Sequence, residues 1–338
     1  MGFTLKKLSV DGFLRKKKVV WNFKQVNVLV GKNGSGKTSL LRIINTLLKD
    51  HDDSLSCMAL SGKIELKVKE QPITIVSDRA IADFDLLNKV LSTLVKIDID
   101  GKKKVIEGLS DKFSDELSLE ENIKNVAKQM SEKNKLNTKR TLFIGSPEYS
   151  LDLNPKEISE KFNVEFISTV NLSSNSISQY IGSDGNTKST ILDLEIEKEF
   201  SRLHTLNRST SKILINKFIT SINCFFKDSD KEILYKENKF IIKIFNDEFI
   251  DIQDLSSGER QLIYIFLKLI NSSKKTIFLM DEPEISLHLE WQEILISEIM
   301  KISPDCQLII VTHSPAIVMN GWMDSYKDIK EILVKNDQ

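Results

Sequence analysis

The stretch Val26-Asn27-Val28-Leu29-Val30-Gly31-Lys32-Asn33-Gly34-Ser35-Gly36-Lys37-Thr38-Ser39 decides how this chain is read. Val26 to Val30 is the near-continuous apolar run of a strand buried on both faces. From about Lys37 to Leu48 the apolar positions recur at helical spacing. Between them lies G-x-x-x-x-G-K-[ST], in the strand–turn–helix context that the pattern needs. The glycines let the backbone aim N–H groups inward at phosphate oxygens, and the helix N-terminus adds positive potential. Gly31, Asn33, Gly34, Ser35, Gly36, Lys37, Thr38 and Ser39 are therefore expected to bind a nucleotide, with Lys37 at its β- and γ-phosphates. The Thr38 hydroxyl is expected to bind Mg²⁺.

Three later segments complement this loop. Thr276-Ile277-Phe278-Leu279-Met280-Asp281-Glu282 is an apolar strand ending in two carboxylates. Desolvated charge is costly. Mg²⁺ held through Asp281, directly or through water, would offset that cost, and Glu282 would accept a proton from an attacking water. Alone, the pair also fits a strand exit with solvated acids. Leu255-Ser256-Ser257-Gly258-Glu259-Arg260-Gln261 precedes an apolar helix. Ser256 or Ser257 makes a sensible N-cap and Glu259 a favourable first-turn acid. The functional reading sets this helix start on the γ-phosphate of a nucleotide held by another subunit. Leu308-Ile309-Ile310-Val311-Thr312-His313-Ser314-Pro315 is a buried strand ending in a histidine. At the carboxyl edge of a parallel sheet, His313 would reach the γ-phosphate or the attacking water.

Strand–helix alternation at both chain ends implies one α/β core built from the two ends, with the middle inserted. Residues 1–79 read as an N-terminal antiparallel β ribbon plus the phosphate-loop part of the core. Residues 80–162 read as a mainly helical insertion, with helices near 83–95 and 116–134. Residues 163–250 hold a strand from Val164 to Thr169, a Ser/Asn-rich loop, a helical stretch near 190–226, and strands near 232–235 and 239–245. Residues 251–338 carry helices near 258–271 and 290–302, buried strands near 276–280 and 307–311, and a last strand near 331–334. Cys57, Cys224 and Cys306 are scattered, which argues against a disulfide framework or a structural zinc site. No run reaches 18 apolar residues, and the N-terminus lacks a secretory pattern, so a cytoplasmic protein without a membrane partner is expected.

In order and spacing the four segments resemble the Walker A, signature, Walker B and H-switch motifs of soluble ATP-binding-cassette ATPases of the SMC/RecF/OLD type. Asp281-Glu282-Pro283-Glu284-Ile285-Ser286-Leu287-His288 resembles the D-loop region of the OLD/RecF-like AAA group. The resemblance implies an ATP- and Mg²⁺-dependent hydrolase whose subunits pair head to tail. Lys37 and Thr38 of one subunit would face Ser256, Ser257, Gly258 and Glu259 of the other, with Glu282, Lys37 and His313 catalytic. The signature departs from transporter ATPases at Ser257 and Glu259. Gln179 and Asn171 both remain open as the Q-loop residue, and Phe13 as either an adenine-stacking ring or a core residue.

The insertion shows no heptads for coiled-coil arms, and there is no CxxC for a zinc hook. Only 25 residues follow His313, which leaves no room for a TOPRIM nuclease domain. A motor that controls a separately encoded effector, such as a nuclease or toxin of an anti-phage pair, is therefore expected, with a RecF-like DNA-repair ATPase as the alternative. Lys plus Arg and Asp plus Glu number 48 each, so net charge is zero. Yet residues 1–50 carry 9 Lys and 2 Arg against 2 Asp and no Glu. Arg15, Lys16, Lys17 and Lys18 on the ribbon are accordingly the candidate contacts for DNA or an acidic partner.

Overall fold

A computed structural model of the chain describes residues 3–14, 17–49, 61–68, 71–79, 138–144, 163–168, 190–205, 208–227, 229–273 and 275–334. In chain order the strands are β1 (Phe3–Phe13), β2 (Lys17–Asn22), β3 (Val26–Val30), β4 (Ser61–Val68), β5 (Gln71–Arg79), β6 (Thr138–Ile144) and β7 (Val164–Ser168). They continue with β8 (Glu232–Lys236), β9 (Lys239–Lys243), β10 (Phe249–Ile250), β11 (Ile277–Asp281), β12 (Gln307–Thr312), β13 (Tyr326–Asp328) and β14 (Leu333–Val334). The helices are α1 (Lys37–Lys49), α2 (Ile191–Thr205), α3 (Arg208–Phe226), α4 (Ser257–Asn271), α5 (Leu289–Ile302) and α6 (Ile329–Ile332).

The centre is a parallel sheet ordered β13-β3-β12-β11-β7. Its three inner strands are buried along nearly their whole length, which is why they read as apolar runs rather than alternating ones. The period-two geometry of a strand still divides them between two cores. Val28, Phe278, Met280, Leu308 and Ile310 pack into a core shared with α2, α3, α4 and α5. Leu29, Ile277, Leu279, Ile309 and Val311 pack into another, shared with α1, β1, β2 and β4. Each such side chain contributes roughly 1.5–3 kcal/mol when fully buried.

A second sheet, ordered β14-β2-β1-β4-β5-β6, is antiparallel and covers α1. β2 stops opposite Lys7, and beyond that point the Gln307 side chain substitutes for a strand. Its Oε1 accepts from Leu5 N at 2.7 Å, while its Nε2 donates to Leu5 O at 3.0 Å and Lys24 O at 2.8 Å. One buried amide thus ties the ribbon to the start of β12. A small three-stranded sheet, β10-β9-β8, sits beside α3.

The structure departs from the sequence reading in several places. Residues 138–144 fall within the stretch expected to be a helical insertion, but they form β6, paired with β5 from Ile73↔Ile144 to Arg79↔Thr138. The helices expected at 83–95 and 116–134 lie outside the described residues, as do the Ser/Asn-rich loop and the Q-loop candidates Asn171 and Gln179. The stretch 190–226 is two helices, and the last strand shrinks to two residues after α6.

Candidate nucleotide site

Register puts the chemistry on one edge. Thr312 pairs with Val30, Asp281 with Val311, and Ser168 with Asp281, so β3, β12, β11 and β7 all end at one level. The segments leaving these strands therefore meet at the carboxyl edge, the usual ligand position in a parallel α/β sheet. Those that carry the chemistry are the Gly31–Thr38 loop, Asp281-Glu282 and Thr312-His313.

In the loop, Gly36 has φ +97°, and a Cβ there would stand 2.5 Å from the Phe13 ring. Only glycine fits both the backbone and the space. Phe13 is thus a fully buried core residue supporting the loop, and its reading as an adenine-stacking ring is set aside. Its neighbour Leu14 is 42% exposed at φ +47° and would touch the same Cβ at 3.1 Å. Leu14 is the apolar side chain displayed beside the loop, and nothing in the local pattern distinguishes it from Phe13. Ser35 Oγ is buried without a hydrogen-bond partner, an orphaned group that suits an anion's oxygens.

Lys37 begins α1 and is only 4% exposed. Its Nζ donates to Gly31 O at 2.9 Å and lies 2.8 Å from His313 Nε2. Burial holds its pKa below the usual lysine range, against the opposing pull of Glu282, Asp281 and Glu284. His313 Nε2 also lies 2.8 Å from Glu282 Oε1. A single ring nitrogen either accepts from Lys37 or donates to Glu282, so the histidine's proton decides which partner it holds. Thr38 Oγ1 donates to Asp281 Oδ1 at 2.9 Å. Burial raises the Asp281 pKa and Glu282 adds to the rise, while the Thr38 hydrogen bond opposes it. Glu282 sits at φ +50°, a left-handed conformation costing a non-glycine residue roughly 1–3 kcal/mol. Its amide donates to Val311 O at 2.8 Å, which fixes the side chain's starting point.

The α4 start is built differently. Ser256 caps it, accepting from Glu259 N at 3.3 Å, and Glu259 Oε2 accepts in return from Ser256 N at 2.8 Å. Glu259 Oε1 accepts from Lys231 Nζ at 2.6 Å. Burial would raise the Glu259 pKa, but the Lys231 and Ser256 donors outweigh it and hold it below the usual range. Only 3% exposed, Glu259 is turned inward, so the expectation that it contacts nucleotide is corrected to a structural role. Its partner Lys231 lies 28 residues away, which no local pattern shows. Ser256 is exposed, and Gly258 packs against the carbonyl of Ser286. Gln261 Nε2 donates to Pro283 O at 2.7 Å. The α4 start is thereby fastened to the turn that leaves Glu282. Arg260 pairs with Asp193 of α2 at 2.8 Å, both largely buried.

Lys37, Thr38, Asp281, Glu282 and His313 therefore converge, whereas Ser256–Gly258 makes no hydrogen bond to Gly31–Thr38 among the described residues. Asn33, Gly34 and Lys32 are exposed on the loop, and Ser39 is half-buried. Of the basic cluster, Arg15 and Lys16 lie outside the described residues. Lys17 and Lys18 are exposed, with Lys18 3.4 Å from Asp11. Among the described residues, no group of three or more His, Cys, Asp or Glu is placed to hold a metal, and no helix is long and apolar enough to cross a membrane.

A phosphate loop after one strand, an acidic pair at the end of a second and a histidine after a third make up the site of a P-loop ATPase. The chain belongs to the AAA ATPase domain family, whose model matches residues 4–318. It is 23% identical to the "Retron Vc95 probable ATPase" of Vibrio cholerae serotype O1 biovar El Tor, over 91% of this chain and 70% of that protein. Among solved structures it is similar to an SMC head bound to the C-winged helix domain of ScpA (TM-score 0.50, 12% identity, 94% of this chain and 91% of that one). The SMC head domain from Thermotoga maritima matches with TM-score 0.48 and 16% identity, over 94% of this chain and 91% of that one.

Proposed function

We propose that this ATPase hydrolyses ATP in composite sites between two copies paired head to tail, and that nucleotide-driven pairing controls a separately encoded effector. The observation that carries this is the division of the site. One chain brings together the phosphate loop, two carboxylates and His313, while its capped α4 start, where Ser256 is exposed, makes no hydrogen bond to them among the described residues. A second copy would supply Ser256, Ser257 and the first α4 amides to the γ-phosphate, where a helix N-terminus favours an anion.

The loop amides and Lys37 would hold the β- and γ-phosphates. Glu282 would take the proton of the attacking water, and His313, 2.8 Å from it, would hydrogen-bond the γ-phosphate or that water. Thr38 Oγ1 and Asp281 Oδ1 are hard oxygen donors 2.9 Å apart, which suits Mg²⁺ bound through few protein ligands and the substrate's phosphates. When bound, the ion would neutralise charge on the β- and γ-oxygens. ATP favours the closed pair only through its extra contacts there, and hydrolysis removes them.

The effector reading draws on the Vibrio cholerae relative, whose name is "Retron Vc95 probable ATPase". A nuclease or toxin acting in anti-phage defence is the partner class proposed. The alternative of a RecF-like DNA-repair ATPase draws on exposed Lys17 and Lys18, but Asp11 offsets part of that charge. It requires ATPase activity stimulated by DNA and lost at higher salt.

The test is native mass spectrometry of the protein co-expressed with its neighbouring genes, with and without ATP, for wild type and Glu282→Gln. The expected result is an ATP-dependent dimer, persistent in Glu282→Gln, carrying a second gene product. Glu282→Gln remaining monomeric at saturating ATP refutes the composite site, and full activity with no co-purifying protein refutes the effector.

A further inference from the structure

We infer that Glu284 is a positioning residue for His313, holding the loop after β12 in register with the loop after β11. The inference rests on the role given to His313 above. Glu284 is 7% exposed, two residues beyond Glu282. Its Oε1 accepts from the Thr312 hydroxyl, from His313 N at 3.0 Å and from Ser314 N at 3.4 Å. Three successive residues of the histidine loop thus converge on one carboxylate oxygen. Its Oε2 is buried with no hydrogen-bond partner, so the hold passes through Oε1 alone. Burying a carboxylate on these terms is costly, and an apolar side chain of the same size would pack there at less cost. Its return lies in fixing the backbone from which His313 reaches Glu282 and Lys37, each 2.8 Å from Nε2.

Gln292 makes the same connection from α5. Its Oε1 accepts from Ser314 Oγ at 2.6 Å, and its Nε2 donates to Leu287 O at 2.9 Å. Gln261 anchors Pro283 at the other end of the turn. The 283–287 turn is therefore fastened on one side to the α4 start and on the other to the histidine loop. A shift of His313 by about 1 Å would cost on the order of a hundredfold in rate while leaving the phosphate loop untouched.

The experiment is a mutant cycle on the full chain, with kcat and equilibrium ATP binding measured for Glu284→Ala, His313→Ala and the double variant. The expected result is kcat lowered about tenfold to a hundredfold in Glu284→Ala with ATP affinity retained, and a double variant no slower than His313→Ala. Glu284→Gln keeps an acceptor for the two amides and should restore most of the rate. If Glu284→Ala does not fold, Glu284→Leu fills the volume without the acceptor and takes its place in the cycle. Multiplicative losses in the double variant, or a lowered melting temperature with unchanged kcat, overturn the positioning role. Failure of both Ala and Leu variants to fold assigns Glu284 to stability and overturns it equally. Wild-type kcat in His313→Ala would instead refute the role of His313, a distinct outcome.

Discussion

Gly258→Ala tests how tightly the α4 start is held against the turn after Glu282. Helix propensity predicts a gain, since alanine is better than glycine inside a helix by about 1 kcal/mol. The packing predicts the opposite. A Cβ at position 258 would stand 2.2 Å from the Ser286 carbonyl oxygen and 3.1 Å from its carbon, both backbone atoms that cannot swing aside. Carbon contacts are comfortable near 3.5–4 Å, so helix and turn must part by roughly 1 Å or more. Overpacking of this kind costs about 1–3 kcal/mol. Parting also stretches the buried Gln261–Pro283 hydrogen bond of 2.7 Å, worth about 1–3 kcal/mol when a buried partner is lost. The clash wins, with a net destabilisation of roughly 1–5 kcal/mol. At about 2 °C per kcal/mol for a chain of this size, the melting temperature should fall by roughly 2–10 °C. Scanning calorimetry measures it, with Ser257→Ala at the half-buried preceding position as the control expected to shift little. ATPase activity should fall as well, because the same contact aligns α4 with Glu282. A Gly258→Ala protein as stable as wild type would refute the claim that this approach constrains the site.

Two further outcomes can be checked directly. Glu259 has a folded-state pKa below its ordinary value, so its stabilisation is complete above about pH 4.5 and fades as pH falls towards the folded-state value. Glu259→Gln should therefore be less stable than wild type near neutrality, with the gap closing below pH 4.5 in acid-unfolding curves; a gap independent of pH would contradict the Lys231 pairing. Asp281→Asn removes the charge that Thr38 Oγ1 meets at 2.9 Å, and should raise the Mg²⁺ concentration giving half-maximal ATPase by about tenfold or more. An unchanged titration would remove Asp281 from the metal's surroundings.

Much of the sheet's carboxyl edge was legible because it is local. Val26–Val30, Ile277–Asp281 and Gln307–Thr312 announce themselves as buried strands, and the residues that leave them are named by adjacency alone. Other features were not legible because their partners are remote in sequence. Thr138–Ile144 joins a sheet begun far upstream, and a single strand's pattern does not say which edge will receive it. Glu259 looks from its motif like a ligand residue until Lys231 is found beside it. Phe13 and Leu14 differ in role because β1 ends with Phe13 buried in the α1 core, while Leu14 follows it in a left-handed turn that leaves it exposed.

The amino-acid sequence by itself determined the phosphate loop, the acidic strand end, the capped helix start and the histidine, since each depends on neighbours within a few residues. Only the tertiary structure decided that β12 lies between β3 and β11, and hence that Lys37, Glu282 and His313 meet. It alone decided that Glu284 serves the histidine loop rather than the solvent. The physical reason is that strand order and side-chain direction follow from burying two opposite faces of one sheet at once. That constraint belongs to the whole chain and is written in no single segment of it.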